Sequence, residues 1–90
     1  MKLAEVVGNV WASRKVESVR SLKMLLVRPL DANLKSGGEL WVAADLVDAG
    51  VGDRVIVATG RAARLAVGDE NAAISAAVVG VVDAVDLTVK

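Results

Sequence analysis

Two stretches of this 90-residue chain, residues 22–27 and 77–82, are apolar on both of the faces that a strand would present. Successive side chains of a strand point to opposite sides, so a small one-layer sheet reads as alternating apolar and polar positions. These stretches break that alternation. A domain this short buries only a modest fraction of its chain surface and has little length to spare for a covering layer. The surplus apolar face is therefore expected to pack against other copies of the chain.

The remaining pattern divides into short strands and turns. Residues 2–12 (KLAEVVGNVWA) are rich in β-branched side chains and predict a first strand, with Gly8 marking a bulge or a barrel corner. Residues 13–21 carry Arg14, Lys15, Glu17 and Arg20 with little periodicity and predict a solvated loop. Residues 22–30 predict a second strand whose end, at Pro29, lies at an edge or leaves the sheet, because proline has no amide hydrogen to donate. Turn formers fill residues 31–39, including Gly37 and Gly38. A third strand follows over 40–46, a tight turn at Gly50 and Gly52 closes the segment 47–52, and a fourth strand runs over 53–59.

Residues 61–67 (RAARLAV) are mostly good helix formers, with Thr59 placed to cap the N-terminus and Gly68 placed for a left-handed C-terminal cap. A polar loop over 68–75 leads to a final long strand, 76–87, with a bend expected near Gly80 or Asp83. Short strands, Gly-rich turns and one helix before the last strand predict a mainly β fold: a small five-stranded, OB-like barrel with one short helix, which limits exposed sheet edges. The strand order is open at this point. One domain, residues 1–90, is expected from the length.

Composition narrows the function. Hydrophobic content of 54% with 24% charged residues describes a globular chain. Eleven basic and eleven acidic residues cancel, leaving no field of one sign to attract a nucleic-acid backbone or an anionic membrane. No cysteine is present, which fits a reducing cytosol. Glu5 interrupts anything like a signal-peptide core, and the uncharged stretch 71–82 falls short of the ~20 residues of a membrane-spanning helix. A soluble chain that is not exported is expected.

Catalytic chemistry is hard to build from these residues. Histidine, the commonest general base, is absent, and Ser13, Ser18, Ser21, Ser36 and Ser75 read as turn and loop residues. Asp45, Asp48 and Asp53, or Asp69 with Glu70, lack the ordered spacing of a calcium loop, so no metal is expected. Gly50, Val51 and Gly52 begin like a dinucleotide fingerprint, but Val55 stands where its third glycine would be and a strand follows instead of a helix. No cofactor is expected. Barrels of the OB type can bind single strands by stacking bases on aromatics in a basic groove. Trp11 and Trp41 are the only aromatics here; each suits the core or a subunit contact as well as a base.

Three segments together resemble one family. They are Lys2, Leu3, Ala4 with Val7, Gly8, Asn9 and Val10; residues 22–27 continuing to Leu30 and Asp31; and the run VAADLVDAGVGDRV over 42–55, followed by Gly60, Arg61, Ala62, Ala63, Arg64 and by AVVGVVD over 77–83. In that order they resemble the EutN/CcmL-type pentameric vertex proteins of bacterial microcompartment shells. The family usually has Gly where Asp48 stands, Glu where Asp53 stands, and Ser where Arg61 stands.

The resemblance implies a non-enzymatic β-barrel subunit, assembling as a cyclic homopentamer. Each ring caps a vertex of a polyhedral, carboxysome-like shell that encloses metabolic enzymes in the bacterial cytoplasm, with hexameric shell proteins as partners. Subunit contacts are then expected at Gly60, Arg61, Ala62, Ala63 and Arg64, and on outward faces of the second and last strands through Leu25, Val27, Val79 and Val81. Arg64 is either a two-pronged anchor on the neighbour or a solvated helix-surface residue. Asp45 either accepts backbone hydrogen bonds in the turn leading to Gly50 and Gly52 or is an exposed turn residue. A barrel that binds single-stranded nucleic acid is the alternative function.

Overall fold

The computed structural model describes residues 1–86 and Thr88. Strands β1 (Lys2–Val10), β2 (Lys23–Pro29), β3 (Trp41–Asp45), β4 (Arg54–Thr59) and β5 (Ala76–Val81) close into a barrel in the order β1-β2-β3-β5-β4. Neighbours run antiparallel except β3 and β5, which are parallel. Helix α1 (Gly60–Ala66) lies between β4 and β5 in the chain. The expected OB-like barrel is thus present. None of the helices described is long and apolar enough to cross a membrane.

The barrel interior is filled by side chains from every strand: Ala4 and Val6, Leu25 and Val27, Ala43, Val55 and Val57, and Ala76 and Val78, joined by Ala49 from the turn. Burying a side chain of the size of Leu25 or Val57 contributes about 1.5–3 kcal/mol, so this set is the main source of stability. The bulge expected at Gly8 is visible in the register. Val6 faces Val27 but Gly8 faces Leu26, so Val7 is the extra residue and Gly8 and Val10 turn to the outer face beside Leu26 and Met24.

The apolar outer faces have a cover that the length argument did not foresee. Ala44, Ala58 and Ala77 lie on the outer face of the barrel, and α1 packs onto them through the fully buried Ala63, with Met24, Val67, Ile74 and Val79 at the margin. Four alanines meet here, so helix and sheet approach closely, and α1 supplies the second layer over β3, β4 and β5.

Element ends depart from expectation in physical ways. The final strand stops at Val81 instead of continuing; residues 82–86 form no regular structure, and Leu87, where it was expected to end, lies outside the described residues. Residues 17–19 of the charged loop make a short 3-10 turn, and Ser18 Oγ accepts the Ala73 amide at 3.1 Å, tying this loop to the segment before β5. Thr59 stands at the N-cap of α1 but makes no side-chain cap bond. At the other end Gly68, with φ 82°, completes a Schellman cap: its amide donates to Leu65 O and the Asp69 amide to Arg64 O.

Candidate subunit-contact surface

Two groups of exposed apolar side chains stand at opposite ends of the barrel, and Trp11, Val16 and Leu65 are exposed as well. At one end, where β3 begins and β4 finishes, Leu40 and Val42 are exposed, and Trp41, Val42, Thr59, Ser75 and Ala76 line a pocket of about 370 Å³. At the other, where β3 finishes and β4 begins, Leu46, Val47 and Val51 of the 46–52 loop are exposed together with Val81 of β5. The aromatic at the first end is steadied by Lys2, whose Nζ sits 5.3 Å from the Trp41 ring centroid. A surface with two separated apolar ends suits head-to-tail contact, in which different patches of neighbouring copies meet.

The 46–52 loop is held rigidly. Asp45 Oδ1 accepts the Val47 amide at 3.1 Å and Oδ2 accepts the Ala49 amide at 3.1 Å, with the carboxylate itself almost wholly covered. Lys23 Nζ lies 3.5 Å from Asp45 Oδ2 and donates to Asp48 Oδ1 at 3.2 Å. These neighbours raise the Lys23 pKa above its ordinary 10.5: the Asp48 hydrogen bond contributes most, desolvation opposes it, and the charges of Asp48 and Asp45 add to it. Asp48 has φ 57°, a left-handed conformation that glycine adopts without strain, which explains why Gly is usual at this position in the family it resembles.

Gly50 and Asp53 close the turn reciprocally, the Gly50 amide donating to Asp53 Oδ2 at 2.9 Å and the Asp53 amide to Gly50 O at 3.0 Å, while Gly52 takes φ 95°. The loop docks on β1 through Gly52 N–H to Val6 O at 2.8 Å.

The expected contact residues separate by exposure. Arg61 and Ala62 are exposed at the start of α1, and Gly60, with φ 58°, bonds its amide to Ser75 O at 2.9 Å. Arg64 is half-buried and donates from Nε to Glu70 O at 3.1 Å, so it is neither free in water nor wholly available to a neighbour. Val81 is exposed and Val79 is half-buried against the α1 layer. Leu25, Val27 and Ala63 correct the expectation: none has exposed surface, the first two because they are on the inner face of β2 and the third because it seats α1. The outward side chains of β2 are Met24, Leu26 and Arg28. Sequence reasoning missed Val42, Val47 and Val51, whose signal was apolar side chains at or beside turns.

Among the described residues no group of three or more His, Cys, Asp or Glu side chains is placed to hold a metal ion. Arg14, Lys15 and Arg20 line an open groove with Ala12 and Ser13, and two of these three cations are engaged within the subunit. In the 13–20 loop, Lys15 Nζ donates to Leu22 O at 3.0 Å and Arg20 pairs with Glu17 at 3.1 Å.

Residues 1–83 match the family model described as "Ethanolamine utilisation protein EutN/carboxysome". The chain is 42% identical over 86 residues to the bacterial microcompartment shell vertex protein GrpN of Rhodospirillum rubrum (strain F11), covering 96% of this chain and 97% of that one. It is 44% identical over 89 residues to the vertex protein PduN of Salmonella typhimurium, covering 92% and 96%. Among solved structures, the GrpN pentameric microcompartment shell protein of R. rubrum superposes with a TM-score of 0.89 at 40% identity, covering 98% of this chain and 100% of that one. The relatives are structural shell proteins and not enzymes. Fold, length and the match along the barrel agree: this chain belongs to the EutN/CcmL family.

Proposed function

We propose that this protein is a structural subunit that closes into a ring of five and caps a vertex of a bacterial microcompartment shell. The observation that carries this reading is the likeness to a pentameric shell protein over 98% of this chain and 100% of that one. The two apolar ends of the barrel support it, since head-to-tail contact around a closed ring would remove both from water. Hexameric shell proteins are the partners expected around the ring, and the bacterial cytoplasm is the compartment expected to hold the shell.

The contact surface in this reading includes Gly60, Arg61 and Ala62 at the start of α1 and Arg64 in its last turn, together with Val81. Arg64 donates from Nε to Glu70 O, and in this reading its terminal amino groups serve a carbonyl or carboxylate of the neighbour. Native mass spectrometry at micromolar concentration is the test. Five chain masses are expected, and a solitary chain would overturn the reading. Arg64→Ala is expected to lower the melting temperature of the ring while the subunit keeps its β-rich circular dichroism; a pentamer of unchanged melting temperature would remove Arg64 from the contact.

A further inference from the structure

We propose that the segment following β5 in one copy adds as an extra strand to the open edge of β3 in the next copy, with apolar side chains entering the pocket beside Trp41. This rests on the ring reading above and specifies how neighbours grip one another.

The receptor is a gap in the barrel. Among the described residues, β3 and β5 pair only at Ala44 with Ala77 and Asp45 with Val78. Trp41, Val42 and Ala43 therefore have a strand neighbour on the β2 side alone. An unpaired strand edge is a template for another strand, and main-chain bonds at such an edge with a pocket for alternate side chains are how extended segments are recognised. Here the pocket of about 370 Å³ lies beside that edge, and Val42 is 51% exposed next to it.

The donor has the sequence pattern of a strand. Residues 85–90 read V-D-L-T-V-K, alternating apolar and polar positions at the period of a half-buried strand. Yet residues 83–86 are exposed and form no regular structure after β5 ends at Val81. The segment also carries Asp83 and Asp86, opposite in charge to Lys2, which lies over Trp41 at the receptor.

Topology places donor and receptor at opposite ends of one subunit. Val81 pairs with Val55 near the start of β4, whereas the pocket is lined by Thr59 at its end. Four strand steps separate these levels along β4, about 13 Å. To reach its own gap, the segment would have to double back past Ala44 and Asp45, where β3 and β5 already close on each other. A donor at one end and a receptor at the other join different copies, the geometry that closes a ring.

The chain has no cysteine, so introduced pairs report cleanly. Val42→Cys combined with Val85→Cys, and Val42→Cys combined with Thr88→Cys, are treated as assembled protein with a short bismaleimide that tolerates a one-residue error in register. A ladder of linked chains reaching five on a denaturing gel is the expected result for at least one pair. Linkage confined within single chains, or none in a protein that native mass spectrometry still shows as a pentamer, overturns the proposal and leaves the ring reading standing. Native mass spectrometry that finds only single chains overturns both. As a second arm, removing residues 84–90, which follow β5 in the chain, is expected to raise the concentration at which the ring dissociates by tenfold or more, with the circular dichroism of the barrel unchanged; an unchanged midpoint overturns the proposal.

Discussion

Asp48 holds a left-handed backbone conformation at the price of strain and returns part of it through Lys23. A left-handed conformation costs about 1–2 kcal/mol for an ordinary side chain and less for aspartate. Asp48→Gly is therefore expected to leave stability within about 0.5 kcal/mol of the parent, whereas Asp48→Ala loses about 1 kcal/mol, both read from denaturant melts. The Lys23 pair has a defined pH dependence. Its folded pKa is raised above 10.5, so its stabilisation is complete below the unfolded value and is lost as pH rises through the folded one. The stability difference between the parent and Lys23→Met should accordingly be flat from pH 7 to 9 and shrink above pH 10.5. At Gly60 open space surrounds the position of a Cβ, so Gly60→Ala probes torsion alone and should cost about 1 kcal/mol. Such residues were partly legible: turn glycines and Asp45 could be read from local chemistry. The inward direction of Leu25 and Val27 could not, because both faces of β2 are apolar and only the closed barrel decides which is inside.

At the scale of elements, the decisive packing is the alanine layer beneath α1. Ala63 is fully buried in one cluster with Ala44, Ala58 and Ala77, so Ala63→Leu should destabilise by about 1–3 kcal/mol, measured by thermal or chemical unfolding. This layer was hard to see in the sequence because alanine is a weak apolar signal and its four members come from four different elements. The helix itself was legible from its formers and its Gly68 cap. The length of the last strand was not, since alternation continues past Val81 while a strand also requires a partner, and pattern alone does not say which chain provides it.

For the whole molecule, apolar ends and zero net charge make association chiefly hydrophobic. Such association weakens on cooling, because the hydration of apolar surface changes heat capacity. Sedimentation at 4 °C should therefore show a higher dissociation midpoint than at 25 °C; the reverse trend would point to polar contacts as the main adhesive. The barrel order was predictable only as a class, whereas the parallel closure of β3 on β5 depends on α1 carrying the chain across.

That closure imposes a schedule on biogenesis. β5 is made last yet stitches both β3 and β4, and its first residue also forms a wall of the pocket beside Trp41. A half-synthesised subunit thus owns no finished socket, so recruitment into an oligomer must wait until translation has passed β5 and the cylinder has snapped shut.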